Sequence, residues 1–192
     1  MPPEGGETLS LALTNAVLKP GSIPLIGKVE WGGDLEGDLA LALDRSATAP
    51  LAGIRAEAEL LEKGHGTLDL SLAGVAGTAS AGSPLAIGSF RLDYRDGGLV
   101  DERMSALARG QGETREAAAR RMAERFARSV RATKDGRLAR AASELYRFLR
   151  EPRSISVSVA PTHPVSPLVM MTLGLVSPGN LADMMDLQVR SQ

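Results

Sequence analysis

The sequence predicts an α+β fold: an antiparallel β-meander, helices packed on one face, and late strands that return to the same sheet. Three observations carry this. Residues 7–96 and 154–160 alternate apolar and polar side chains with the period of two that a strand with one buried face requires. Residues 99–150 switch to the helical period. No crossover-length helix separates the early strands, so they join as antiparallel neighbours rather than as a parallel sheet apolar on both faces.

The strand evidence runs through five segments. "TLSLALT" places Leu9, Leu11 and Leu13 on one face, with Ser10, Ala12 and Thr14 on the other. "DLALALD" does the same with Leu39, Leu41 and Leu43, and "GIRAEAELLE" with Ile54, Ala56, Ala58 and Leu60. "TLDLSLAG" aligns Leu68, Leu70 and Leu72, and "SFRLDYRDGG" sets Phe90, Leu92 and Tyr94 against Arg91, Asp93 and Arg95. Gly and Pro mark the turns between them, in "KPGSIP", "WGGDLEGD", "KGHG" and "AGTASAGSP". Leu and Ala are indifferent strand formers, but alternation outweighs propensity here because burial of a face decides strand placement.

Three helices follow the Asp96-Gly97-Gly98 turn. "LVDERMSALARG" ends at Gly110. "ETREAAARRMAERFARSVRAT" puts Ala118, Ala119, Met122, Phe126 and Val130 on one stripe. "GRLARAASELYRFLRE" gathers Leu138, Ala141, Ala142, Leu145, Phe148 and Leu149 and stops near Pro152. The strand "SISVSVA" then alternates Ile155, Val157 and Val159 with serines. Ser166-Pro167 and Ser177-Pro178 each match an N-cap followed by proline at the first helical position. They predict two short helices, the first ended by Gly174. "DLQVR" reads as a last strand, which rejoins the first sheet because a two-stranded unit alone is marginal. All 192 residues are expected to form one α+β domain: meander 7–96, helices 99–150, and strand, two short helices and strand over 154–192.

Composition removes several functions. There is no cysteine, hence no disulfide, thiol nucleophile or thiolate-bound zinc. No apolar run is long enough to span a bilayer as a helix. "MPPEGGETLS" lacks the basic and apolar regions of a signal peptide, and the chain is expected to be excised from a longer one. The net charge of −1 hides an asymmetry: residues 101–153 carry +6 and the remainder −7. His65, read as part of a "KGHG" hairpin turn, and His163, in "PTHPV", fall in no metal-binding motif. Neither a G-x-S-x-G nucleophile elbow nor a glycine-rich phosphate loop occurs. "GGDLEGD" resembles a calcium loop only until its twelfth position, where the required Glu is Arg45. No catalytic residue, metal ligand or cofactor site is assigned.

Two clusters are candidate sites. Arg121, Arg125 and Arg128 share a side of the middle helix and suit an anionic membrane surface or an acidic protein partner. Interleaved glutamates and a pI near 6.2 argue against nucleic acid. The pairs Met170-Met171 and Met184-Met185 follow the two Ser-Pro caps. Adjacent helical residues differ by about 100°, so one methionine of each pair is expected in the core. The other is expected on the rim of an apolar pocket, since methionine adapts to varied apolar ligands.

The repeated leucine strands "LSLALTNAVL", "DLALALD" and "GTLDLSLAGVAG" resemble the Gly- and Leu-rich β-meanders of the AsmA-like proteins of the proteobacterial cell envelope. The resemblance implies a curved sheet facing lipid, with its concave side covered here by the helices. It also implies a part in envelope lipid transport or assembly, and with no catalytic signature in the sequence the expected role is non-enzymatic, as a binder of a lipid-like ligand or as a structural module. The location it implies is periplasmic or membrane-associated through a preceding segment, with the cytoplasm also compatible. The alternative is an interaction module that docks through its Arg-rich helices.

Overall fold

The computed structural model describes residues 7–18, 35–45, 51–60, 63–73, 86–131 and 136–192. Seven strands, β1 (Glu7–Leu18), β2 (Leu35–Arg45), β3 (Leu51–Leu60), β4 (Gly64–Ala73), β5 (Ala86–Asp96), β6 (Ser154–Val159) and β7 (Gln188–Ser191), form one sheet. Every neighbouring pair is antiparallel and the spatial order is the chain order. The sheet is curved and not closed, and the late strands do rejoin the meander. Three helices, α1 (Leu99–Gln111), α2 (Arg115–Arg131) and α3 (Gly136–Arg150), lie between β5 and β6 in the chain. Two more, α4 (Pro167–Val176) and α5 (Pro178–Met184), separate β6 from β7.

A polar corner fixes the passage from sheet to helices. The Tyr94 hydroxyl lies 2.8 Å from the Asp96 carboxylate and 3.0 Å from the Lys63 carbonyl, with one proton to share between them. Asp96 in turn accepts from the backbone N–H groups of Gly98 and Val100, each at 2.9 Å, which satisfies free donors at the start of α1. Burial and the neighbouring Asp96 charge push the Tyr94 hydroxyl well above its ordinary pKa. The turn closes so tightly that a Cβ on Gly64, whose φ is +140°, would stand 2.5 Å from the Arg95 carbonyl oxygen. Lys63 pairs with Glu102 and joins this corner to α1.

The helices pack on each other first. Met104, Ala119 and Leu149 form a buried cluster from α1, α2 and α3, flanked by Val100, Leu107 and Leu145. Arg115 pairs with Asp101 at 2.6 Å and donates to the Arg150 carbonyl at 2.7 Å, tying the three together. The α2 stripe differs from expectation. Ala118, Ala119 and Ala123 are buried, whereas Met122 and Phe126 remain more than a third exposed. Alanines let the helices approach closely, and the longer side chains are left at the margin. The side chain of Val130 lies outside the described residues, as do the turns after β1 and β4 and the Gly32, Gly33 and Asp34 that open "GGDLEGD".

Among the described residues α3 packs on the β5–β7 end of the sheet. Phe148 meets Tyr94 edge-on with ring centroids 6.2 Å apart. Glu144 accepts from the Ser191 hydroxyl at 2.7 Å and its N–H at 2.9 Å, latching β7. Those two bonds hold the Glu144 carboxyl below the usual carboxylate range. Leu138 packs on Ala182 of α5 and on Leu187.

Candidate functional site

The register of the sheet turns the leucine alternation into continuous rows. Leu9, Leu43, Ile54, Leu70, Phe90 and Val159 stand opposite one another, strand to strand. Beside them run Leu11, Leu41, Ala56, Leu68, Leu92, Val157 and Val189. A third row carries Leu13, Leu39, Ala58, Gly66, Tyr94, Ile155 and Ser191. Tyr94 and Ser191 belong to this face, so α3 sits on the same side as the leucines. The opposite face is polar, with a cross-strand pair of Arg55 and Asp69 at 2.6 Å and His65 2.6 Å from Glu59. His65 is therefore a β4 residue opposite Glu59, not a turn residue: Gly64 provides the positive φ and the ladder has already begun at His65.

The helices cover the β5–β7 end of the apolar face, and the cover stops there. Leu9 is 70% exposed, Leu11 53% and Leu41 38%. Leu13, Leu43 and Leu92 are also more than a third exposed, while Ile54, Leu68 and Leu70 between them are half-buried. With strands spaced about 4.8 Å and residues about 3.4 Å apart, the part of this face on β1–β4 measures ~14 Å by ~14 Å. It is aliphatic throughout its open part; the aromatic members, Phe90 and Tyr94, lie on β5 at the helix-covered end. The sequence reading had the helices over this face and so missed it.

The methionine pairs divide unevenly. Met185 is buried at 3% and Met184 is 36% exposed. Met170 is half-buried and Met171 68% exposed, so that pair places no side chain in the core. The reason is α4 itself. Ser166 caps it, accepting from the Val169 N–H, but Gly174 does not end it. Gly174 instead lies against Leu181 of α5, where a Cβ would stand 3.5 Å from that side chain. No residue of α4 is buried, and Leu168, Val169, Leu175 and Val176 are exposed. The uncharged run "PLVMMTLGLV" was the signal for this second apolar surface.

The arginine cluster does not form one free face. Arg121 is half-buried and pairs with Glu113 at 2.6 Å. Arg128 is exposed and reaches the Glu124 carbonyl of its own helix, and Arg125 is exposed. Two clefts among the described residues are lined by several charged side chains. One of about 430 Å³ between α3 and β7 is lined by Arg137, Arg140, Glu144, Asp186 and Arg190. There Arg137 pairs with Asp183 at 3.0 Å and with Asp186, whose carboxyl it holds below the usual range. The other, of about 360 Å³, opens on the polar face beside His65, Arg91, Asp93 and Arg95. Neither is lined by methionine. Among the described residues no helix is long and apolar enough to cross a membrane, and no three His, Asp or Glu side chains gather as for a metal ion.

Residues 34–192 match the model of a family described as "Uncharacterized protein". The chain belongs to that family. The match takes in β2 to β7 and all five helices and leaves β1 outside it. No curated protein and no solved structure matches the chain.

Proposed function

We propose that this protein is a non-enzymatic module of the cell envelope that binds the acyl chains of a lipid on the open half of its sheet. One observation carries the reading: rows of mainly aliphatic side chains run across the strands, and their exposed leucines, Leu9, Leu11, Leu13, Leu41 and Leu43, lie on β1 and β2, away from the helices. A contiguous exposed apolar surface marks a binding site more often than an accident of folding. Its chemistry favours aliphatic chains over a protein partner. Protein interfaces are anchored by aromatic and arginine side chains, and the open rows offer leucine, isoleucine and alanine. The exposed α4 supports the same reading as a second surface for apolar contact. So does the resemblance of the leucine strands to AsmA-like envelope proteins.

Binding on such a surface is driven by removal of water from both partners, at about 0.8 kcal/mol for each methylene buried. The full chain, purified and examined by native mass spectrometry, should carry lipid adducts. After delipidation it should bind a fluorescent fatty acid saturably, with unlabelled fatty acid displacing it. A chain that emerges without lipid and shows no saturable binding would overturn the proposal.

A further inference from the structure

Among the described residues, the outer edge of β1 is the least protected part of the sheet. Edge strands are ordinarily blunted by shortness, charge, proline or a covering element, because their free N–H and C=O groups invite another strand. The other edge follows that rule: β7 has four residues, includes Arg190, and is held by Glu144 through Ser191. β1 does not. It has twelve residues, no proline, and no charge after Glu7, and no described strand pairs with its outer side.

We propose that two copies of this chain join antiparallel through β1, about a twofold axis at Leu11. The strand reads almost the same in both directions: Thr8, Leu9, Ser10, Leu11, Ala12, Leu13, Thr14. An isologous pair needs such self-complementarity, because each residue meets the one reflected across the axis. Here Leu11 faces Leu11 of the partner subunit, Leu9 faces Leu13 of the partner subunit, and Thr8 faces Thr14 of the partner subunit. Ser10 meets Ala12 of the partner subunit on the polar face. Leucine thus meets only leucine, and the three apolar rows continue from one subunit into the other. The three leucines lie in the regular part of β1, whose register with β2 is unbroken from Glu7 to Leu13 and shifts between Leu13 and Ala16.

The partner would flank the bare side of the apolar surface with its own leucines, where Leu9 is most exposed. Seven residues a side is well short of the roughly 20–30 of a standard interface. The pair is therefore a reversible dimer that dissociates on dilution. The inference stands on the strand's sequence and register and does not require that lipid bind.

Single-cysteine variants test it cleanly, because the chain has no cysteine. Residues directly opposite in an antiparallel ladder have Cα atoms about 4.5–5.5 Å apart, within the span of a disulfide. Under mild oxidation, Leu11→Cys should form a covalent dimer. Leu9→Cys alone should not, since its two thiols would be about 13 Å apart along the strands, but Leu9→Cys mixed with Leu13→Cys should. Sedimentation of the unmodified chain should show a dimer fraction that rises with concentration. Leu11→Lys, which sets two ammonium groups face to face at an exposed position, should be monomeric at the same concentrations with an unchanged circular dichroism spectrum. A monomer at every concentration with no Leu11→Cys dimer would overturn the inference. So would equal cross-linking of Leu9→Cys and Leu11→Cys, which would mean parallel or unordered association.

Discussion

Replacing Leu9 by serine separates the two kinds of work an exposed leucine can do. Full burial of a leucine side chain is worth about 2 kcal/mol. Leu9 is 70% exposed, so the fold already has the benefit of under a third of that. The substitution should therefore lower unfolding free energy by about 0.6 kcal/mol. The exposed share is available to a ligand that covers the row, about 1.4 kcal/mol, which is a tenfold change in affinity. Equilibrium titration of a fluorescent fatty acid reads the second quantity, and urea denaturation the first. The titration belongs at protein concentrations where β1 pairing is negligible. Two results would refute the reasoning. Unchanged affinity would mean that the acyl chain does not lie over β1. A stability loss of several kcal/mol would mean that something covers Leu9 in the free protein.

Three further outcomes follow from the structure. The Glu144 carboxyl has a folded pKa below its unfolded one, because the Ser191 hydroxyl and N–H bind the charged form, so its contribution is complete above the unfolded value and is lost as pH falls through the folded value. Glu144→Ala should cost about 1–2 kcal/mol at neutral pH and flatten the acid limb of the stability profile, measured by denaturant titration between pH 3 and 7. Tyr94→Phe, which leaves the ring on Phe148 and removes only the hydroxyl shared by Asp96 and Lys63, should cost about 1–2 kcal/mol in the same titration at pH 7. Met185→Ala should cost about 2–5 kcal/mol because the side chain is buried, whereas Met171→Ala on the exposed α4 should change stability by less than about 0.5 kcal/mol.

The strands and helices were legible because each advertises its period. Leu39, Leu41 and Leu43 alternate with alanine, and Leu138, Ala141, Ala142, Leu145, Phe148 and Leu149 recur at helical spacing. Both patterns say which face is apolar. Neither says what lies over it, because cover is a tertiary property. The leucine face was accordingly read as buried, and its β1–β2 end is exposed. The same limit explains the methionines. In α4 nearly every position is apolar, so no direction around the helix distinguishes core from solvent, and the run lies outward. At the end of α5, Asp183 and Met184 are exposed between the buried Ala182 and Met185, and the polar residue marks the split. Gly174 was read as a helix end, a role glycine often has. Its other use, letting a second helix approach, depends on Leu181, which no local pattern names as its neighbour.

Uneven cover should also be visible as uneven stability. Every described side chain of β1 from Thr8 to Thr14 is exposed, none described on β2 is buried, and on β3 only Ala52 is. The buried clusters instead lie among α1, α2, α3 and α5. Local opening free energies in a protein range from near zero to the global value, according to how much apolar contact each segment must give up. Amide hydrogen exchange should therefore grade along the sheet. Protection should be highest in α3, β5 and β6, lower in β3, and lowest in those β1 amides that bond to β2. A ligand that occupies the open rows stabilises by mass action, about 2.7 kcal/mol at a hundred times its dissociation constant. That should slow exchange in β1 to β3 up to about a hundredfold and leave α1 and α2 nearly unchanged. Uniform protection across all seven strands would show that the sheet opens as one unit and that the bare rows are not its weak end. Slowing confined to the helices would move the ligand off the sheet, and the reading of the leucine face would go with it.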